Sequence, residues 1–200
     1  GVVAIKYGAM MASPDNFKIT VKGLGGHGSA PQLAIDPILI AAQIVVSLQT
    51  IVSRKVSPLE SCVITVGKIH GGTAPNIIPE EVILEGTLRT LNNDVRSVVP
   101  NQMKELVETL AKSYGGSAKF EYLPGYPVLV NDDRMTEVTH NALKGFLKEE
   151  QIKIIEKPDM GGEDFAYIAQ TVPSNFMYVG IMKDKPISHH HPDFHFDDEN

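Results

Sequence analysis

The residues best suited to chemistry form a cluster of histidines and aspartates near the end of the chain, from Ser188 to Asp198. Four of the seven histidines lie between His189 and His195. Neutral imidazole and carboxylate are ligands that divalent metals such as zinc and manganese prefer. Adjacent histidines point in different directions, so at most one or two of them can reach a common ion. The cluster therefore predicts either a metal site or a largely solvent-facing run.

A second candidate is His27, which stands between Gly26 and Gly28 in a glycine-rich loop over residues 23–31. Little side-chain bulk hinders the approach of a ligand there, and a donor imidazole can stabilise a developing oxyanion. The loop can instead be a simple turn, or it can hold a phosphate. No Lys-Ser/Thr pair follows it, and the predicted helix begins several residues too late for a phosphate-binding loop.

Two further candidates are Arg89 and Asn76. Arg89 shares a predicted strand face with Glu85 and Thr87, where a guanidinium can bind a carboxylate in bidentate fashion. Alternatively, Arg89 is a solvated cross-strand partner, here of Glu85. Asn76 lies in a Gly/Pro-rich turn, so it is either a ligand contact or a turn former.

The last candidate is Gly161-Gly162-Glu163-Asp164, two glycines and two carboxylates at the start of a predicted helix. Acidic residues are favoured there by capping and by the helix dipole. In the functional alternative, the glycine backbone touches substrate while Glu163 or Asp164 orients a metal ligand through a hydrogen bond. Neither carboxylate has a nearby sequence partner that would make it a catalytic base.

Composition limits the class of protein. A chain of 200 residues with 42% hydrophobic residues can form one large or two small domains with a buried core. A net charge of -6 argues against nucleic-acid binding. The longest apolar stretch, residues 35–51, is interrupted by Asp36 and Gln43 among others, so no membrane span is predicted.

The single cysteine, Cys62, excludes an internal disulfide and is typical of a reducing compartment, so we expect a cytoplasmic protein. It lies in an apolar strand-like run, where a buried structural thiol is expected. The first residues show no signal peptide. Because the chain begins within a predicted strand, we expect it to be part of a longer protein.

The elements that must position these residues follow from periodicity and capping. Alternating apolar residues predict strands, and Asp36-Pro37 is a typical helix start. The predicted elements are a strand around residues 17–21, a helix over 36–53, strands over 61–69 and 81–90, a helix over 94–114 and a strand over 118–122. The order β-α-β-β-α-β predicts a ferredoxin-like unit.

The remaining elements predict an alternating α/β layer. They are a strand over residues 2–5, a helix over 133–148, a strand over 152–155, a short helix over 164–170 and a strand over 176–181. We therefore predict that residues 14–125 form the ferredoxin-like unit. Residues 1–13 and 126–200 are predicted to belong to an α/β domain in which that unit is inserted.

Taken in order, these stretches resemble the metal-dependent amidohydrolases that cleave N-acyl amino acids. That group includes hippurate hydrolases, aminoacylases, auxin-conjugate hydrolases and N-acetyl-diaminopimelate deacetylases, and it is related to carboxypeptidase G. The matching pieces are Met11-Ala12 with Asp15 and Phe17, Gly25-Gly26-His27 through Pro31, Asp36-Pro37, Arg54 with Pro58, Gly71-Gly72 with residues 76–79, residues 86–90, residues 160–165, and His190-His191-Pro192 with Phe194 and Phe196.

The resemblance implies that residues 14–125 are a lid or dimerisation domain inserted in a catalytic domain with two divalent metal ions, zinc or manganese. It implies that His190 is a metal ligand and that His27 reaches the active site of the partner subunit to hold the scissile carbonyl oxygen. Asn76 would contact that oxygen, and Arg89 the carboxylate of a small N-acyl amino acid.

Family members place their other metal ligands and a glutamate base before the stretch that corresponds to this chain. We therefore expect the full-length protein to hydrolyse the amide bond, releasing an amino acid and a carboxylic acid, and this segment alone to be inactive. Two alternatives stay open. One is a dipeptidase or carboxypeptidase of the same superfamily, and the other is a non-catalytic ferredoxin-like binding or dimerisation module.

Overall fold

The computed structural model describes residues 1–181 and 190–194. Its strands are β1 (Val2–Ile5), β2 (Gly8–Met11), β3 (Ser13–Lys22), β4 (Gly26–His27), β5 (Cys62–Gly71), β6 (Ile77–Ile78), β7 (Glu81–Thr90), β8 (Ser117–Leu123), β9 (Leu129–Asn131), β10 (Ile152–Ile154) and β11 (Tyr178–Gly180). Its α-helices are α1 (Pro37–Arg54), α2 (Asn93–Ser113), α3 (Asp133–Leu143) and α4 (Ala166–Ala169).

The central feature is a four-stranded antiparallel sheet in the order β5-β7-β3-β8, with α1 and α2 packed on one face. Together with the order of the elements along the chain, this arrangement is ferredoxin-like. The predicted fold class is therefore confirmed. We call the segment from β3 to β8 the ferredoxin-like unit.

The core of this unit follows directly from the sequence pattern. Successive strand residues point to opposite faces, so β3 buries Phe17, Ile19 and Val21 while the residues between them face outward. The helices bury residues at helical spacing. The buried helix residues are Ile40, Ala41, Ile44, Leu48 and Ile51 of α1, and Val99, Met103, Val107 and Ala111 of α2.

The start of α1 is set by Asp36 and Pro37, as predicted. The Asp36 carboxylate accepts hydrogen bonds from the backbone N–H groups of Ile38 (2.8 Å) and Leu39 (3.4 Å), which otherwise have no partner in the helix. By length and composition alone, α1 could cross a membrane. Its inner face packs into the core against the sheet, so it is built as a core helix.

The residues on either side of the ferredoxin-like unit form a second layer. Strand β1 pairs with β10 in parallel and with β11 in antiparallel fashion, while β2 pairs with β9. Helix α3 ends at Leu143, so its predicted extension to residue 148 is wrong. Gly145 donates to Ala142 O (3.0 Å), a tight turn that glycine favours over helix continuation.

A buried ion pair closes the ferredoxin-like unit at its base. The Asp15 carboxylate is fully buried and accepts hydrogen bonds from Arg96 Nε (2.9 Å) and Nη2 (2.8 Å). The backbone N–H of Gly125 donates to the same carboxylate at 2.8 Å, and Arg96 Nη2 also donates to Gly125 O at 2.9 Å. Because Asp15 lies at the start of β3 and Gly125 follows β8, this network joins the chain entering the unit to the chain leaving it.

The network also determines the ionisation of Asp15. Burial raises the pKa of Asp15, but hydrogen bonds from Arg96, from the Gly125 N–H and from Tyr122 outweigh it, so the net pKa lies below its ordinary value. A carboxyl group with a lowered pKa in the folded state contributes stability above its unfolded pKa. That contribution is lost as the pH falls through the folded pKa.

We expect Asp15→Asn to lower the free energy of unfolding by about 3 kcal/mol at neutral pH, because it leaves the Arg96 guanidinium, whose side chain is only 17% exposed, without the carboxylate that balances its charge. The difference from wild type should shrink below about pH 4, where the unfolded wild-type carboxyl becomes protonated. Urea unfolding at several pH values measures both effects. Glu85→Gln is the matched control, because its exposed pair with Lys68 should matter little. Equal stability of Asp15→Asn and wild type would contradict this prediction.

Candidate functional site

His27 and Asn76 are brought together by the two-stranded sheet of β4 and β6. His27 lies opposite Ile77 in this pairing, and the Gly28 N–H donates to Asn76 O at 2.9 Å. A Cβ on Gly28 would lie 3.1 Å from that oxygen, a tight contact with a backbone atom. His27 and Asn76 are both exposed. Ile77 N donates to Ala74 O at 3.3 Å, so Asn76 also lies in a turn.

The His27 ring is held by a residue that the sequence reasoning did not single out. Nδ1 accepts a hydrogen bond from the Ser29 backbone N–H (3.1 Å) and lies 2.8 Å from Ser29 Oγ. Only the spacing in His-Gly-Ser hints at this contact, since a side chain two residues before a backbone N–H is within reach of it. The ring is therefore anchored within its own loop.

Arg89 lies at the other end of the ferredoxin-like unit and contacts the second layer. Its Nη1 donates to Met160 O at 2.6 Å. The alternative that made Arg89 a partner of Glu85 is wrong, because Glu85 pairs with Lys68 at 3.0 Å. Lys68 stands directly opposite Glu85 on β5, whereas Arg89 is four residues along β7, about 13 Å away.

Residues 159–164, which we call the Met160 loop, pack onto the base of the ferredoxin-like unit. The backbone of Asp159 forms hydrogen bonds with β2 and with the residue that follows β2. Asp159 N donates to Met10 O at 2.8 Å, and Ala12 N donates to Asp159 O at 3.1 Å. A Cβ on Gly162 would lie 2.4 Å from Pro14 Cγ, and Pro14 is the direct neighbour of Arg89 across β3 and β7. The structure thus brings the glycines of the Met160 loop and Arg89 to one place.

Glu163 and Asp164 precede α4 without capping it. The N-cap residue is Phe165, which makes no side-chain cap, and the Phe165 N–H lies 3.4 Å from Glu163 Oε1. Backbone turns instead satisfy the helix start, with Ala166 N donating to Glu163 O at 3.2 Å and Tyr167 N to Asp164 O at 3.0 Å. Glu163 therefore accepts one hydrogen bond from the N–H of the N-cap residue of α4, while neither carboxylate stands at the N-cap position itself.

Tyr178 is a further residue near the Met160 loop that the sequence did not reveal. Burial raises the pKa of Tyr178, and the negative charges of Asp159 and Glu163 raise it further. Within the part of the chain that the structure describes, its buried hydroxyl has no hydrogen-bond partner. Nothing in the apolar strand around Tyr178 distinguishes it from an ordinary core aromatic.

His190 is exposed and has a left-handed backbone with φ 66°, a conformation in which histidine is enriched among residues with side chains. His191 Nδ1 accepts a hydrogen bond from Asp193 N at 3.1 Å. Among residues 1–181 and 190–194, no group of three or more His, Cys, Asp or Glu side chains could hold a metal ion. His189 and His195 lie outside the described residues, as do Ser188, Phe196, Asp197 and Asp198.

The candidate residues form two groups at opposite ends of the sheet. The pairing of β3 with β7 continues past the start of β7, because Gly23 N donates to Glu80 O at 2.9 Å. Strands β4 and β6 extend this pairing further, so His27 and Asn76 lie beyond the start of β7. Arg89 lies near the end of β7. The eight residue steps from Glu81 to Arg89 span about 26 Å at the usual rise of a strand. One chain therefore cannot bring His27 and Arg89 to the same small molecule in this arrangement.

Comparison with known proteins gives one family match. Residues 15–115 match the M20 peptidase dimerisation domain. The chain is 38% identical over 199 residues to an N-acetyl-L-cysteine deacetylase of Bacillus subtilis (strain 168), covering 99% of the chain and 46% of that protein. It is 37% identical over 186 residues to thermostable carboxypeptidase 2 of Saccharolobus solfataricus, a match that covers 92% of this chain and 46% of that protein. The chain spans about half the length of the curated relatives it matches.

Two solved structures share the fold over the whole or nearly the whole chain. One, from methicillin-resistant Staphylococcus aureus, is 35% identical with a TM-score of 0.89 and covers 100% of this chain and 51% of that one. The other is the Bacillus subtilis YXEP protein, described as a dinuclear metal binding peptidase from the M20 family. It is 30% identical with a TM-score of 0.75, and the match covers 98% of this chain and 48% of that one.

The packing of Gly162 against Pro14 yields a test of the loop geometry. We expect Gly162→Ala to lower the free energy of unfolding by about 1 to 3 kcal/mol, because the added methyl must displace a ring in a packed corner. Gly161→Ala is the matched control, since its Cβ would meet only side-chain atoms of Asp159 and Met11 at 3.1 Å. Thermal and urea unfolding of both variants measure the difference. Equal stability of the two variants would contradict the packing described.

Proposed function

The chain belongs to the M20 family, through its peptidase dimerisation domain, and from this we propose that the full-length protein hydrolyses the amide bond of N-acyl amino acids. The products would be an amino acid and a carboxylic acid. The observation that carries this proposal is the placement of Arg89 beside the two glycines of the Met160 loop. That arrangement places a guanidinium, which can bind the carboxylate of a small acyl amino acid, next to the backbone of these glycines.

Arg89 would bind the substrate carboxylate. A guanidinium has five N–H donors, and the bond to Met160 O uses one of them while fixing the orientation of the group. The remaining donors suit bidentate binding of a carboxylate. Gly161 and Gly162 would contact substrate through their backbone groups, on the side away from Pro14, which fills the place of a Gly162 side chain.

We propose that His190 is a ligand for one of two divalent metal ions, zinc or manganese. Imidazole is a preferred ligand of both, and the left-handed backbone of His190 is a conformation found at ligand sites. When bound, such ions activate a water and polarise the amide carbonyl. The other metal ligands and the general base would come from another part of the full-length protein, one that corresponds to the stretch of the relatives that this chain does not cover. Glu163 or Asp164 would orient a metal ligand by hydrogen bonding.

His27 and Asn76 would act in the active site of a second copy of the chain, because they lie too far from Arg89 to serve the same substrate within one subunit. We propose a homodimer through the ferredoxin-like unit, with the edge strand β5 as the contact. Most of β5 is exposed, and an unpaired strand edge can pair with another chain. Exposed apolar side chains lie on β5 and the neighbouring α1, namely Val63, Ile69, Ile38, Leu39 and Val46.

A carboxypeptidase or dipeptidase activity is the second candidate. The carboxypeptidase relative favours it, and Arg89 would bind the terminal carboxylate of a peptide equally well.

We also propose a cytoplasmic location, supported by the single cysteine. Burial raises the pKa of Cys62 to about 11, which makes it an unreactive structural thiol.

The experiment is amino-acid release by the full-length protein from N-acetyl and N-benzoyl amino acids, their carboxamide counterparts and dipeptides, before and after chelation. We expect chelation to abolish release and added zinc or manganese to restore it. Carboxamide substrates should have a higher KM, and Arg89→Ala should remove that difference. Hydrolysis of dipeptides alone would favour the second candidate. No hydrolysis with either metal would leave only a non-catalytic dimerisation module.

Mixed dimers test whether His27 serves the partner subunit. We expect His27→Ala to lower kcat by about 10²-fold through loss of an oxyanion donor, and His190→Ala to be inactive. In a dimer of one variant with the other, one of the two sites would hold both intact residues. Random exchange at equal amounts should therefore restore about a quarter of wild-type activity.

The control for the mixed dimers is each variant alone, at the same total concentration and taken through the same subunit exchange. Activity that stays at the level of the unmixed variants would place His27 in the active site of its own subunit.

A further inference from the structure

We propose that Ser29 is a positioning residue that holds His27 in the tautomer with its proton on Nε2. The inference rests on the proposed function of His27 as a donor to the scissile carbonyl oxygen. Its evidence is the pair of contacts to one ring nitrogen, from the Ser29 backbone N–H at 3.1 Å and from Ser29 Oγ at 2.8 Å.

The tautomer follows from which atoms can donate. A backbone N–H is only a donor, so the ring nitrogen it addresses must present a lone pair. Nδ1 is therefore unprotonated in the neutral ring, and the single ring proton lies on Nε2. The Ser29 hydroxyl can donate or accept, but opposite an unprotonated nitrogen it must donate. The backbone contact thus sets the tautomer, and the hydroxyl contact is compatible with it.

The loop backbone keeps the Ser29 N–H in place. Ala30 N donates to His27 O at 2.9 Å, which closes a tight turn from His27 to Ala30 with Ser29 in its third position. The preceding residue is fixed by the bond from Gly28 N to Asn76 O at 2.9 Å. Ser29 is thus held on both sides. Its backbone N–H and its hydroxyl can contact the His27 ring without any rearrangement of the loop.

This arrangement matters for catalysis because an oxygen that gains negative charge needs a donor. With Nδ1 occupied by Ser29, the neutral ring offers Nε2–H as its donor to a substrate. The opposite tautomer would present a lone pair to the oxygen and repel the developing charge. Ser29 would therefore support the transition state without touching the substrate, and its removal should affect kcat rather than KM.

The direct test is a long-range ¹H–¹⁵N correlation spectrum of the full-length protein labelled with ¹⁵N at histidine, at a pH where the rings are neutral. The spectrum of His27→Gln identifies the His27 signals by their loss. We expect a protonated Nε2 and an unprotonated, hydrogen-bonded Nδ1. A ring protonated on Nδ1, or a mixture of the two tautomers, would overturn the inference. This measurement does not depend on any catalytic activity.

The kinetic test compares Ser29→Ala with Ser29→Thr, which keeps the hydroxyl. We expect Ser29→Ala to lower kcat by about 3- to 10-fold with KM unchanged, the effect of one lost hydrogen bond, and Ser29→Thr to restore kcat. In a His27→Ala background, Ser29→Ala should have no further effect, because the two residues act as a unit. Ser113→Ala is the matched control, since that exposed hydroxyl donates to Leu110 O at 2.7 Å at the end of α2.

The outcomes separate this inference from the proposed function. An unchanged kcat in Ser29→Ala, or an equal loss in the presence and absence of His27, would overturn the positioning role of Ser29. If the full-length protein hydrolyses no substrate at all, the proposed function fails, and NMR spectra of wild type and Ser29→Ala then decide on Ser29. A larger share of the Nδ1-protonated ring in the variant supports the positioning role of its hydroxyl, and an unchanged tautomer overturns it.

Discussion

The carboxylate of Asp15 is the point on which the site geometry depends. It accepts two hydrogen bonds from Arg96 and one from Gly125, so one buried charge joins the entering chain, the leaving chain and the first turn of α2. Pro14 beside it packs against Gly125 and Gly162, where any Cβ would lie within 2.4 Å of Pro14 atoms. The base of the ferredoxin-like unit and the Met160 loop are thus one packed corner, and Arg89 owes its fixed position to that corner.

The opposite end of the sheet is built differently. Strands β4 and β6 have two residues each, and His27 and Asn76 are exposed there. A side chain in such a place cannot be oriented by core packing, so local hydrogen bonds must orient it. In our proposal the packed base binds substrate within its own subunit, while the exposed tip serves the partner. That division suits a two-fold dimer, because each tip must fit a surface formed elsewhere.

The ferredoxin-like unit could be predicted because its elements are long and periodic, as in the alternation from Phe17 to Val21. The short strands β4 and β6 could not, since two residues carry no period. The family resemblance singled out His27 and Arg89, but not their partners. A register shift between Val66 and Lys68 puts Lys68 opposite Glu85. The glycine between them, Gly67, is a residue type that often marks such a bulge, but it does not predict which residues face each other after it. Nor does sequence mark the Met160 carbonyl as the acceptor for Arg89, because every residue carries a carbonyl.

A residue can serve a turn and a site at the same time. Asn76 is a turn former, as one of the two sequence interpretations held, and its backbone carbonyl fixes Gly28. Gly28 in turn places Ser29, whose N–H addresses Nδ1 of His27. The conformation of the turn around Asn76 therefore affects which ring nitrogen of His27 carries the proton, through two hydrogen bonds: Gly28 N–H to Asn76 O and Ser29 N–H to His27 Nδ1. Turn formation and function are not competing explanations here, because the turn is the means by which the ring acquires its tautomer.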